Sequence, residues 1–221
     1  VTQKRRDFLK AMSAVAVANG ALGKGFNPEK LFAGFAKPPT ASVGDPLYRE
    51  LAMVGLEAAR GAGAEYADVR ISSRNDQGIF TREARVQAMQ SSETFGFGVR
   101  ALVNGAWGFA ASSRLTRDDV ASAARQAVAQ ARANRAAQLK PHVLAPVTAV
   151  GDVEWKSPAR IDPFTVSIED KAQLLLAANA AAMRVPSARF VNSSMFFMKE
   201  EKTLATTDGS FIVQTIIRSQ P

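Results

Sequence analysis

The stretch FGFGVRALVNGAWGFAAS, Phe95 to Ser112, constrains this chain more than any other. Val99, Ala101 and Val103 recur at every second position up to Asn104-Gly105, and Trp107 and Phe109 resume the alternation beyond it. A two-residue hairpin matches the twist of its strands only when both central residues take positive φ, and Asn-Gly tolerates that best. The segment therefore predicts an antiparallel hairpin, and the fold must contain a sheet. Alternating aromatic residues in a strand read first as core, so Trp107 and Phe109 are expected inside, with a ligand platform as the second reading.

Helical periodicity frames this hairpin. Asp45-Pro46 pairs a capping side chain with proline at the first helical position. Leu47, Leu51, Val54 and Ala58 then share one face, and Gly61 and Gly63 stop the run. Val69, Ile71 and Ser73 alternate with Arg70, Ser72 and Arg74 as a half-buried strand. A second extended stretch is expected over Gly78 to Arg82 and a third from Val86. Thr116-Arg117-Asp118-Asp119 has a capping hydroxyl with a carboxylate three residues on. It opens an alanine-rich helix to about Asn134 with a stripe of Val120, Ala124, Ala127, Val128 and Ala131.

Pro141, Pro146, Pro158 and Pro163 break residues 138–166 into a connector with one short strand around Gly151 to Trp155. Ser167 caps a further helix, its buried side Ile168, Ala172, Leu175, Leu176 and Met183, ending before Pro186. Extended chain follows over Arg189 to Met198, Glu201 to Thr207 and, after an Asp208-Gly209 turn, Phe211 to Arg218.

The expected class is α+β, with helices packed on mostly antiparallel sheets. Helix, extended stretch and hairpin occur in that order twice, so two related α/β units are a possible arrangement. The last strand, rich in Phe, Ile and Val, has no neighbour evident in the sequence. A bare apolar edge is an aggregation hazard, which implies that the chain is the front part of something longer.

Composition narrows the compartment. The chain has no cysteine, so no disulfide framework holds it, and 47% hydrophobic residues must build a buried core. Lys4, Arg5 and Arg6 precede Asp7, Phe8, Leu9 and Lys10, and Ala11 to Leu22 carry no charge. That run is shorter than the about 20 residues a membrane helix needs, so no stable membrane insertion is expected. Basic, then apolar, then small residues is the layout of an export signal, and Arg5, Arg6, Phe8, Leu9 and Lys10 resemble the twin-arginine form. Export by that pathway to a periplasmic or other extracytoplasmic location is expected. A basic amphipathic N-terminal helix and an arm on nucleic acid are the competing readings. Charge weighs against the second, because residues 1–40 hold net +5 of the chain's +8. The remainder has no electrostatic footprint for DNA.

Catalytic patterns are missing. His142, the one histidine, stands beside Pro141 in the connector and reads as solvated. No Gly-x-Ser-x-Gly elbow occurs. GFGVR runs into a strand instead of a helix, so glycine packing beneath an aromatic ring explains it better than a phosphate loop. Asp118 with Asp119 and Glu200 with Glu201 are sequence neighbours that point in different directions, so neither pair makes a dyad.

GAEYADVRI, then FGFGVRALVNGAWGFAASSRL with its alanine-rich helix, resembles the N-terminal domain of the TldD/PmbA family, the former modulators of DNA gyrase. IDPFTVSIEDKAQLLLAANAAA is similar to the start of the family's middle region in the TldD branch. The likeness spans about residues 47–218, and Glu83-Ala84-Arg85 departs from it where members commonly have a glycine-containing turn. The resemblance implies a zinc metallopeptidase acting on peptides or unfolded segments, in a homo- or hetero-oligomer of related subunits. Together with the export layout and the proline breaks, it divides the chain into an export signal (1–36), a linker (37–45), an N-terminal domain (46–137), the connector (138–166) and the start of a middle region (167–221). The family's metal motif of histidines, a glutamate and a later cysteine has no counterpart here, so no catalytic, metal or cofactor residue is assigned. Zinc is expected only for the full-length member. The alternative is a non-catalytic PmbA-like partner or peptide-binding module; association with DNA is disfavoured.

Overall fold

The computed structural model describes residues 45–220. The export label Arg5, Arg6, Phe8, Leu9 and Lys10 lies outside the described residues, as does the linker before Asp45.

Helix α1 spans Pro46–Gly61, and the Asp45 side chain accepts from the Leu47 N–H at 2.8 Å. Its buried face is Tyr48, Leu51, Ala52, Gly55, Leu56 and Ala59, whereas the expected Leu47 is 45% exposed. The reason is a close approach. A Cβ on Gly55 would stand 2.8 Å from Val69 and 2.9 Å from Val120, so the helix lies closest to the sheet on the face centred at Gly55, flanked by Leu51, Ala52, Leu56 and Ala59, and Leu47 falls outside it.

The two extended stretches expected after α1 are one strand, β1 (Tyr66–Arg82), paired antiparallel with β2 (Arg85–Val103). Their turn lacks glycine, and Glu83 takes φ +52. Tertiary hydrogen bonds hold it there: the Glu83 N–H donates to the Val191 carbonyl at 2.8 Å, and its own carbonyl accepts from Asn179 Nδ2 at 3.0 Å. Strand β3 (Ala106–Ser112) returns through Asn104 (φ +49) and Gly105 (φ +72), the expected tight hairpin.

Helix α2 (Arg117–Arg135) starts at a reciprocal cap. Thr116 Oγ1 accepts from the Asp119 N–H at 3.1 Å and donates to Asp119 Oδ2 at 2.8 Å. Val120, Ala123, Ala124, Ala127, Val128 and Ala131 are buried. The connector supplies β4 (Asp152–Lys156) and a short 3-10 turn (Pro163–Thr165) before α3 (Ile168–Ala182). Strand β5 (Asn192–Thr206) merges the two separate stretches expected there, and β6 is Phe211–Gln220.

All six strands form one sheet in the order β3-β2-β1-β5-β6-β4, antiparallel except for β4 on β6. The expected pair of units thus shares a single sheet through the β1–β5 ladder. Strand β6 is not bare, as the sequence suggested, because the connector returns β4 to its free side. Among the described residues no helix is long and apolar enough to cross a membrane.

The tightest contact lies between α2 and β3. A Cβ on Gly108 would sit 1.9 Å from the Ala127 carbonyl oxygen and 2.5 Å from the Ala131 nitrogen. Backbone cannot step aside as a flexible side chain can, so Gly108→Ala is expected to cost about 3 kcal/mol by urea denaturation. An unchanged midpoint would show that α2 does not lie where described.

Candidate functional site

Side chains alternate across a strand, so each face can be assigned from one contact per helix. Helix α1 meets Val69 through Gly55, α2 meets Gly108, and α3 meets β1 at Ile79 and Thr81. These positions all belong to one face. The other face carries no helix among the described residues.

Trp107 and Phe109 stand on this uncovered face, which corrects the expectation that they are core. Phe109 is 55% exposed. Beneath α2 the strand offers Ala106, Gly108 and Ala110, because only small residues fit under so close a helix, and the aromatic side chains are turned to the opposite side. Gly98 makes room for the Phe109 ring, whose Cε2 would be 2.7 Å from an added Cβ. The GFGVR glycine therefore serves ring packing and not phosphate binding. Trp107 meets Tyr66 edge-on with centroids 5.8 Å apart, and the Arg100 guanidinium lies 4.9 Å over the Trp107 ring.

An ion cluster lies beside these rings. Asp68 is 1% exposed, yet Oδ1 accepts from Arg70 Nε at 3.0 Å, and Oδ2 accepts from Arg100 Nε at 2.9 Å and Nη2 at 2.7 Å. Two guanidinium groups thus satisfy both oxygens of this buried carboxylate. Burial, reinforced by the Asp68 charge, pushes the Tyr66 hydroxyl above its ordinary value. Towards the far end of the same face an open cleft of about 740 Å³ is lined by Arg74, Asp76, Gln90, Ser92, Phe196 and Arg218 among others. Arg74 donates to both oxygens of Asp76 at 2.8 Å. Phe196 is 42% exposed and meets Phe80 edge-on at 5.1 Å.

The covered face holds a second polar group that the sequence reading missed. Lys171, on α3, is 5% exposed; its Nζ donates to Gln77 Oε1 at 2.6 Å and lies 4.4 Å from the Phe197 ring centre and 5.6 Å from that of Phe164. Asn179 is fully buried and donates to Thr81 Oγ1 at 3.0 Å. A signal was present: Ile168, Lys171, Ala172, Leu175 and Asn179 follow helical spacing, so both polar residues fall on the apolar stripe. Met183, expected on that stripe, is the C-cap and is 38% exposed. Burial lowers the Lys171 ammonium from its usual range. At Asp162, burial alone would raise the carboxyl. Hydrogen bonds from Lys199 Nζ (2.9 Å) and the Phe164 N–H (2.9 Å), with the Lys199 and Lys171 charges, outweigh burial and hold it below the ordinary range.

The expected acid pairs stay apart. Asp119 belongs to the α2 cap, Glu200 lies 3.4 Å from Lys202, and Glu201 lies 3.9 Å from Lys199 on the other face. His142 is exposed, and its backbone N–H donates to the Gly105 carbonyl at 2.8 Å. Among the described residues no group of three or more His, Cys, Asp or Glu could hold a metal. That donor set does not fit a zinc centre. The uncovered face can instead hold chain, with exposed rings, guanidinium groups and amide acceptors along its strands.

Residues 67–131, from β1 into α2, match the family described as PmbA/TldA metallopeptidase domain 1. A metalloprotease of Methanocaldococcus jannaschii is 25% identical over 112 residues, 51% of this chain and 25% of that protein. Among solved structures, TldE from Thermococcus kodakarensis aligns with a TM-score of 0.58 and 12% identity over 78% of this chain and 37% of its own. A modulator of DNA gyrase from Bacteroides thetaiotaomicron aligns with a TM-score of 0.56 and 17% identity over 77% and 39%. The chain thus spans less than two fifths of these solved structures, and the likeness to them is one of fold.

Lys171 and Asp162 give opposite pH signatures. The native state sheds the Lys171 proton at lower pH than the unfolded chain, which titrates near about 10.4, so stability rises with pH through that window. Lys171→Met keeps the packing, is expected to be at least as stable as the parent at pH 7, and should abolish that rise in urea midpoints. Asp162 stabilises above its unfolded value of about 3.9 and loses its contribution as pH falls through the lower native value. Asp162→Asn is therefore expected to cost about 1 kcal/mol at pH 7 and to cost less as the pH falls below that native value. Parallel pH profiles for parent and variants would contradict both assignments.

Proposed function

We propose that this chain is the front portion of an exported TldD-like zinc metallopeptidase acting on peptides or unfolded segments. It supplies the sheet scaffold, subunit contacts and one wall of a peptide channel, while the metal site belongs to sequence outside these 221 residues. The observation that carries this reading is the match of residues 67–131 to the metallopeptidase domain 1, supported by fold likeness over more than three quarters of the chain. Arg5 and Arg6 motivate the export part of the proposal. The uncovered face favours a second role, a PmbA-like non-catalytic partner or module that holds extended polypeptide. Both roles use the same rings and guanidinium groups, and they differ in whether the complete protein cleaves what it holds.

The two tryptophans, Trp107 and Trp155, both lie on the uncovered face, since Trp155 pairs with Gln214 in the row of Lys202 and Ser72. Intrinsic fluorescence therefore reports on this face alone. Titration with unfolded casein is expected to shift the emission, and Phe109→Ala with Phe196→Ala is expected to weaken binding about tenfold. The chain should leave the casein intact with zinc present. Chelator-sensitive cleavage by these 221 residues would overturn the division of labour, and unchanged emission would remove the channel wall.

A further inference from the structure

The sheet has two edges, and one of them is closed by its own helix. On β3 the Phe109 N–H donates to Gln130 Oε1 at 2.8 Å, and the Trp107 carbonyl accepts from Asn134 Nδ2 at 2.8 Å. These side chains of α2 occupy backbone groups that a further strand would need. Among the described residues the β4 edge has no such cover, and all five of its residues are exposed.

The ladder shows which groups it offers. The Gly151 carbonyl accepts from the Phe211 N–H at 2.8 Å, and the Ser157 N–H donates to the Thr215 carbonyl at 2.9 Å. Odd-numbered residues thus turn their backbone towards β6, and by alternation Asp152, Glu154 and Lys156 turn theirs outward. On the uncovered face Val153 is 41% and Trp155 46% exposed. Short, charged edge strands normally repel arbitrary partners. Here the charges do more than repel.

We propose that β4 pairs antiparallel with β4 of a second copy of this chain, about a two-fold axis through Trp155. In that register Glu154 of each copy lies opposite Lys156 of the other, and the two Trp155 side chains meet on the axis. The neighbouring registers are less favourable on charge. An axis at Glu154 sets two glutamates against each other between two Asp152–Lys156 pairs, one at Val153 opposes Asp152 to Glu154 twice, and one at Lys156 opposes two lysines, so only the axis at Trp155 makes unlike pairs with no like pair. Like charges directly opposite across strands are destabilising, and unlike charges and aromatic pairs are favourable. Glu154 and Lys156 already meet within one strand at 2.7 Å, so the pairing would close a four-membered ring of alternating charge. The partner is therefore a self-complementary copy with isologous contacts. This edge lies beside the proposed peptide face and stands on strand geometry alone, independent of the peptidase reading.

The absence of cysteine makes the test clean, because any introduced thiol is the only one. Across the axis the Trp155 Cα atoms would be about 4.5 Å apart, within disulfide reach, whereas the Val153 Cα atoms would be about 13 Å apart. Under mild oxidation W155C is expected to give a disulfide-linked dimer as its main product, and V153C about tenfold less. In sedimentation velocity the parent should show a concentration-dependent dimer, weak because the interface is small. E154K should weaken it about tenfold, and the charge swap E154K/K156E should restore it. A parent that stays monomeric at all concentrations overturns the proposal, including the case where casein protects the outward β4 amides from hydrogen exchange. So does equal cross-linking of the two cysteine variants, or a dimer indifferent to E154K.

Discussion

The distance between α2 and β3 sets most of what distinguishes this molecule. Helix backbone and strand backbone approach until no Cβ fits at Gly108, and β3 presents Ala106, Gly108 and Ala110 beneath the helix. Large side chains on β3 then have one remaining direction. The uncovered face gathers Trp107 and Phe109 for that reason, and Gly98 is needed there as a seat for a ring. The same proximity brings Gln130 and Asn134 to the outer backbone of β3, so one packing contact builds the core, displays the aromatic surface and closes an edge.

Polar groups inside the protein follow a different logic. Asp68 is tolerated because two guanidinium groups enclose it, and Asn179 because donor and acceptor atoms on the β1–β2 turn and on Ser193 use up its amide. Buried groups satisfied in this way contribute position more than stability. Asn179 ties α3 to a glycine-free turn whose Glu83 would otherwise resist positive φ. Lys171 is the exception, a buried ammonium facing rings and an amide, while the Asp162 carboxylate whose charge acts on it is engaged by Lys199. Its burial costs free energy, which makes it the element of α3 that packing alone does not explain.

Fold and neighbours agree on the level at which they speak. Residues 67–131, within the β1–β2–β3–α2 unit, match a metallopeptidase domain, while β5, β6 and β4 extend the same sheet beyond that match. No group of three or more His, Cys, Asp or Glu among the described residues could hold a metal, and the uncovered face presents exposed rings and guanidinium groups.

Local rules in the sequence determined the hairpin at Asn104-Gly105, the three caps at Asp45, Thr116 and Ser167, and the α+β class, because turns and helix ends are satisfied by residues only a few positions away. The stripe of α2 was legible for the same reason. Tertiary structure alone decided which face of β3 is buried, which residues of α1 touch the sheet, that β1 and β5 run unbroken, and that β4 returns to pair with β6. Each of these depends on how near two distant segments can come, and that distance is set by the absence of a side chain at Gly55 or Gly108 and by hydrogen-bond partners many residues away. Periodicity reports that a residue has an apolar neighbour on its own face, but it carries no information about what lies across the gap.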